Sequence, residues 1–328
     1  MTTNPANDWQ PTAPLRALKL RAGLYALIRR FFAERGVLEV ETPILSEAGN
    51  TDPNIQSLSL EFEGPAAAGQ RRRWLRTSPE HALKRLLAAG VGDCYELGRV
   101  FRNGEAGKCH NPEFTMLEWY REGWDHHRLM EECADLVQAA MALVGKRTTV
   151  RRMSFGELYR DRFGLDPHTA SEAELYAPLA MFGIDPQGLT RDDLLDLLMT
   201  HLVQPVLPDN RILLLYDYPA SQCALARIRP GEPPVAERFE LYLGPLELAN
   251  GYHELCDAGE QRERFGRDLV VRHRRGQVRP PVDERLLAAL DAGLPSCAGV
   301  ALGVDRLLMA MLGCERIADV LAFPFERA

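Results

Sequence analysis

An α+β fold on a mainly antiparallel sheet is predicted for this chain by three observations. Strand-like stretches return on one another, and the helical stretches beside them do not follow a βαβ alternation. No GxGxxG or GxxxxGK[ST] segment marks a nucleotide-binding crossover. The 328 residues, 46% hydrophobic and 26% charged, can bury a core without disulfides or metals. A net charge of −7 argues against broad phosphate-backbone binding. Seven cysteines show no metal or redox spacing. No signal segment and no apolar run of membrane-spanning length appears, so a cytoplasmic protein without membrane contact is expected.

Residues 1–14 read as a flexible leader before a domain over 15–328. Leu18, Leu20, Leu24, Leu27, Ile28 and Phe31 recur at helical spacing, and Gly36 stops that helix. "VLEVETPIL" alternates as a strand, with Pro43 tolerated where no ladder bond is needed. "GPAAAGQRRR" reads as a loop or hairpin tip and "WLRTS" as a short strand. A helix then starts with Ser78 as N-cap and Pro79 at its first position, and ends at Gly90. "DCYELGRVFR" and "EFTMLEWY" make a long-tipped antiparallel hairpin over 94–120. A helix over 126–144 leads into a mainly helical insertion at about 146–208 that holds no catalytic constellation. "ILLLYDYP" is a strand, and "RFELYLGPLELANGYHEL" is a hairpin around "GP". A charged helix covers 258–275, and "AGVALGVDRLLMAMLG" runs from a strand straight into a helix. The basic runs Arg71–Arg73 and Arg272–Arg275 read as solvated faces.

The hairpin carries the first chemical signal. Alternation puts Phe114, Met116, Glu118 and Tyr120 on one face. Such a face could stack a flat ring and bind an amine; equally, it could be an ordinary hairpin whose Glu118 pairs with a core arginine. Arg102 stands at the loop mouth, where a guanidinium can clamp a phosphate. Glu240, Glu247 and Glu254 place several carboxylates on the second hairpin, the oxygen-rich setting that Mg²⁺ requires, and Mg²⁺ usually arrives with phosphates. Asn250 and Gly251 between them suggest a close backbone approach, and Glu80 sits at a helix start. In "GVALGVDRL", Gly299 and Gly303 let a ligand lie against the backbone, Arg306 offers a second phosphate clamp, and Asp305 reads as a helix anchor. Phosphate clamps, an aromatic shelf, metal carboxylates and spare acids for a cationic substrate together describe a phosphate-activating ligase.

"GVLEVETP", "FRN…HNPEFTMLEWY" and "GVDR" carry a resemblance over nearly the whole chain. It resembles the catalytic domain of class II lysyl-tRNA synthetases, and among them the stand-alone members that act on elongation factor P. The resemblance implies that Arg102 holds the ATP α-phosphate and that Asn103, His110 and Asn111 line the nucleotide. Phe114 would stack on adenine, and Arg306 would cover its other face and reach the γ-phosphate, with Gly303, Glu247 and Leu248 close by. Glu240 and Glu247 would bind Mg²⁺. Ser78, Pro79, Glu80, Glu118, Tyr120, Asn250, Tyr252 and Glu254 would line the lysine pocket.

Three positions depart from the synthetase pattern. Gly104 stands where glutamate is usual, and either the following Glu105 takes over its nucleotide contact or that contact is lost. Tyr252 replaces phenylalanine. Ala301 replaces glycine, as in the elongation factor P enzymes, and a methyl worth about 1 kcal/mol biases the pocket toward (R)-β-lysine over lysine. With no anticodon-binding domain ahead of the first motif, tRNA is not the expected acceptor. The first motif implies a homodimer. A synthetase-like enzyme that still charges tRNA or makes free adenylate, and a silent regulatory homologue, are the competing readings; the retained Arg102 and Arg306 speak against silence.

Overall fold

The computed structural model describes residues 9–65 and 69–328. Residues 1–8 of the expected leader and 66–68 of the expected hairpin tip lie outside the described residues. The chain divides into two compact units, one of Met1–Gly123, Cys256–Cys297 and Ala301–Ala328, the other of Trp124–Leu255 and Ala298–Val300. Helices and a largely antiparallel set of strands make the α+β architecture that the sequence predicts.

In the first unit, α1 (Leu15–Ala33) buries Leu24, Leu27, Ile28, Phe31 and Phe32 at helical spacing. Ahead of it, Thr12 N–H donates to Ala322 O at 2.9 Å and Ala13 is buried, so this end of the expected leader is tied down. "VLEVETPIL" does not form one strand. It splits into β1 (Leu38–Glu39) and β2 (Leu45–Ser46), which join different sheets. Pro43, between them, has no N–H to give either ladder. β2 belongs to a small antiparallel sheet with β3 (Ser59–Glu61) and β4 (Arg72–Leu75), in the order β2-β4-β3.

The helix α2 (Glu80–Ala88) begins one residue later than the sequence predicts, with Pro79 at the cap position. Ser78 still does capping work, because its Oγ accepts the Glu80 N–H at 3.0 Å. The predicted hairpin forms between β5 (Cys94–Phe101) and β6 (Glu113–Glu122), in register from Cys94 opposite Tyr120 to Phe101 opposite Glu113. Phe32 stacks on Tyr95 with centroids 4.4 Å apart and meets Trp119 edge-on at 5.4 Å, which packs α1 on this hairpin.

The second unit opens with α3 (His126–Ala142), whose first turn is capped by the Asp125 carboxylate. β7 (Thr149–Ser154) follows, a strand where the sequence pattern predicts helix. Three short helices come next, α4 (Phe155–Phe163), α5 (Glu172–Tyr176) and α6 (Arg191–Leu198), each opened by a capping box from Ser154, Ser171 or Thr190. β8 (Arg211–Pro219), β9 (Ile228–Arg229), β10 (Val235–Leu243) and β11 (Leu246–His253) complete it, in the order β11-β10-β8-β7 with β9 on β10. The expected helical insertion has no separate core. Phe155, Tyr159, Leu175, Leu195 and Leu198 are buried in one cluster with Leu213, Leu215, Tyr218 and Tyr242 of the strands. Each such side chain contributes about 1.5–3 kcal/mol of burial.

The rest of the chain returns to the first unit as α7 (Ala258–Arg274), α8 (Glu284–Gly293), β12 (Cys297–Gly303) and α9 (Val304–Leu312), the middle of β12 counting with the second. Here the strand order is β1-β5-β6-β12. The solvated face expected at Arg272–Arg275 needs correcting at Arg272, while His273, Arg274 and Arg275 are exposed as expected. Arg272 is buried, and its guanidinium donates to the carbonyls of Asn50, Thr51, Asp52, Ile55 and Val278. It organises the 50–55 loop as a fixed cation among carbonyl dipoles. Asp305 is the anchor that the sequence predicts: buried, it accepts the Thr115 N–H of β6 at 2.7 Å and pairs with Arg21 of α1. Among the described residues, no helix is long and apolar enough to cross a membrane.

Candidate active site

The loop between β5 and β6 gathers the residues expected around a nucleotide. Arg102 N–H bonds Pro112 O at 2.9 Å, which closes the loop mouth, and the Arg102 guanidinium lies 5.3 Å from the centre of the half-buried Phe114 ring. Glu105 stands 3.6 Å from Arg102. Gly104 has φ +82° and accepts the Ala106 N–H at 3.0 Å, so the loop turns there in a conformation that glutamate would adopt only under strain. Moving the acid one residue on keeps a carboxylate beside Arg102 while the turn keeps its glycine.

Asn103 is exposed, and its N–H donates to Gln56 O at 2.7 Å. Asn111 is buried and fixed at both ends of its amide, donating to Glu113 O at 2.6 Å and accepting the Phe325 N–H at 2.9 Å. Arg306, in the first turn of α9, reaches His110 Nε2 at 2.6 Å. The guanidinium can only donate, so Nε2 accepts and His110 is neutral. Burial and the Arg306 charge agree with this, holding the imidazole below its ordinary pKa. Gly303 precedes α9 with no capping side chain, so no cap answers the first backbone N–H groups of that helix. Ala301 is half-buried on β12.

The amine-binding candidates of the first unit cluster on α2 and β6. Glu118 is 2% exposed. Ser78 donates to its Oε2 at 2.6 Å and Tyr120 to its Oε1 at 2.9 Å. Both oxygens are thus met by hydroxyls, not by a guanidinium, which sets aside the core ion pair as the explanation of Glu118. Burial, then the neighbouring Glu80 charge, push the Glu118 carboxyl up to about 7, against the pull of its hydroxyl donors. Glu80 is paired with Lys84 at 2.6 Å. Lys84 is absent from the residues that the sequence pattern singles out; its four-residue spacing from Glu80 is the signal that could have found it.

The second unit holds the remaining candidates on β10 and β11. Glu240 is buried, accepts from Tyr218 Oη at 2.6 Å and from Tyr242, and pairs with Arg238. Burial and the Glu240 charge raise both phenols well above their ordinary range, so they hold their protons and donate. A divalent cation at Glu240 would stand against the Arg238 guanidinium. The expected Mg²⁺ role of Glu240 therefore does not fit this arrangement, and Glu240 serves as the anion that holds Arg238. Glu247 stands half-buried opposite Tyr242, with Leu248 buried behind it.

Arg238 in turn donates to Asn250 Oδ1 at 3.2 Å, and Asn250 Nδ2 donates to Tyr252 Oη at 3.0 Å. The hydroxyl that Tyr252 adds over phenylalanine thus completes an Arg238–Asn250–Tyr252 chain. Gly251 is required by packing: a Cβ there would meet the Phe239 ring at 2.4 Å and Val300 at 2.8 Å. The close approach expected at Gly251 is to side chains of its own unit. Glu254 is 1% exposed and lies at an isolated bridge to Ala226.

With these positions in hand, comparison with known proteins is specific. Residues 6–327 match the model of "tRNA synthetases class II (D, K and N)". The chain is 49% identical over 325 residues to "Elongation factor P--(R)-beta-lysine ligase" of Vibrio vulnificus (strain YJ016), covering 98% of this chain and 99% of that one. It is 48% identical over 324 residues to the protein of the same name from Yersinia enterocolitica, with 98% of each chain covered. The Mannheimia succiniciproducens protein of that name is 48% identical over 322 residues, again with 98% of each chain covered. The chain belongs to the class II tRNA synthetase family of the D, K and N type.

Proposed function

We propose that this chain is a ligase that activates (R)-β-lysine with ATP and joins it to a lysine of elongation factor P. The observation that carries the proposal is the near-full-length likeness, at 48 to 49% identity, to proteins named for that ligation. Glu118 supports it from the structure: a buried carboxylate met by hydroxyls and a like charge is built for an ammonium that arrives with the substrate.

The substrate carboxylate, already ionised near neutral pH, attacks the α-phosphorus of ATP. The bond to the bridging oxygen breaks, pyrophosphate leaves, and an aminoacyl-adenylate remains. Arg102 and Arg306 are proposed to neutralise the phosphates, and Phe114 to shelve the adenine. Their geometry supports this, since His110 aims Arg306 and Glu105 accompanies Arg102. In the second step an elongation factor P lysine ε-amine, deprotonated, attacks the adenylate carbonyl. An amide forms and AMP leaves. A divalent cation bound with the ATP would screen its phosphates, and of the two carboxylates expected to hold it, Glu240 is already engaged by Arg238.

A homodimer is also proposed. Leu38, Ile44 and Leu45 in the first motif are 54%, 40% and 45% exposed, an apolar set suited to a second copy. Intact-mass analysis tests the function. Elongation factor P incubated with the protein, ATP and (R)-β-lysine should gain one lysyl adduct, and less with lysine. An unmodified factor, with label passing to tRNA instead, would overturn the proposal.

A further inference from the structure

Lys84 is a buried cation to which the reaction as described gives no role. It lies one helical turn after Glu80, is 2% exposed, and places Nζ 2.6 Å from Glu80 Oε1. Burying an ammonium is costly, and an ordinary surface pair at this spacing contributes little, so a sealed pair calls for another reason. The contacts continue past Glu80. Its N–H donates to Ser78 Oγ at 3.0 Å, and Ser78 donates onward to Glu118 Oε2 at 2.6 Å. Lys84, Glu80, Ser78 and Glu118 form one connected chain across α2 and β6.

Several ionisable groups on the neighbouring elements have partners of their own or are neutral. Glu96, opposite Glu118 in register on β5, is paired with Arg76 at 2.6 Å. His81 of α2 faces Asp283, the residue before α8, at 3.3 Å. Burial pushes the Cys94 thiol of β5 up to about 12, so it is neutral, and the Tyr120 hydroxyl is a donor.

Resting on the reading of Glu80 and Glu118 as substrate-amine residues, we propose that Lys84 is a positioning residue. By holding Glu80 and cancelling its charge, it leaves Glu118 ionised to receive one substrate ammonium. Without Lys84, two carboxylates would face each other and Glu118 would keep its proton to higher pH. Protonated, it no longer attracts an ammonium. The defect is therefore one of affinity, and raising the pH repairs it.

The test is ATP–pyrophosphate exchange with lysine and (R)-β-lysine over roughly pH 6 to pH 9, comparing wild type with Lys84→Gln, which keeps a donor to Glu80 and removes the charge. Lys84→Gln should raise KM about tenfold near neutrality, with kcat within about twofold, and KM should fall back toward wild type at the alkaline end. An unchanged KM, or a defect equal at every pH, overturns the proposal. Where Lys84→Gln melts below the assay temperature, Lys84→Arg carries the test: it keeps the charge beside Glu80 and should hold the wild-type KM at every pH, and a Lys84→Arg that is unfolded or shows the raised KM near neutrality overturns the proposal. Wild-type protein without lysine-dependent exchange at any pH would instead remove the substrate reading itself.

Discussion

Glu118 and Glu240 begin from the same local pattern and end in opposite roles. Each is a buried strand glutamate, and each accepts a hydrogen bond from the tyrosine two residues on, Tyr120 or Tyr242. The difference lies in the remaining partners. Glu240 has a second phenol and the Arg238 guanidinium, so its charge is answered within the protein. Glu118 has a serine hydroxyl and faces the charge of Glu80, so its own charge calls for a cation from outside. The core ion pair that the hairpin pattern allows for Glu118 exists in this molecule, at Glu240. A Glu-x-Tyr strand therefore does not tell a binding carboxylate from a structural one. The cation count around it does.

The contrast breaks most visibly at Glu240. Glu240→Gln leaves the Arg238 guanidinium buried without its anion, and should cost about 3–5 kcal/mol in urea unfolding. A loss under about 1 kcal/mol would show that Arg238 is not held by this pair.

Glu118→Gln should act on stability with the opposite sign. The folded protein holds the Glu118 proton more tightly than the unfolded chain does, so the native state loses stability as pH rises from 4.5 to about 7, and the loss is complete above that. Removing the carboxyl removes this cost. Glu118→Gln should therefore melt like wild type near pH 4.5 and above it at pH 8, by about 1–3 kcal/mol. A variant that melts lower at pH 8 would make Glu118 a structural anion like Glu240. The smallest change expected is from Tyr120→Phe, which removes one neutral donor. It should cost about 1 kcal/mol, read as a rise in the lysine KM of up to about fivefold.

The amino-acid sequence makes much of this legible, and unevenly so. α1, the 94–120 hairpin and the strand-to-helix passage at Gly303–Val304 follow from local periodicity and turn chemistry, which the sequence displays directly. β7 is not legible in that way. "TVRRMS" leaves four of its six residues exposed, and it is a strand because β8 pairs with it from some 60 residues away. Arg272 is hidden for a related reason: a basic run looks solvated until the distant 50–55 loop turns four carbonyls toward its first arginine. In the site, the residue types can be read from pattern and resemblance, but the pairing that separates Glu240 from Glu118 cannot. It depends on which groups the fold brings within hydrogen-bond reach, the Arg238 guanidinium at Glu240 and the Ser78 and Tyr120 hydroxyls at Glu118.

The most direct test of Glu118 as the site of a substrate ammonium is ATP–pyrophosphate exchange by Glu118→Gln at pH 8, with lysine or (R)-β-lysine varied and melting recorded on the same sample. A fall in kcat/KM of about 100-fold or more, in a protein at least as stable as wild type, is the predicted result. Near-wild-type exchange in the same folded variant would contradict the account.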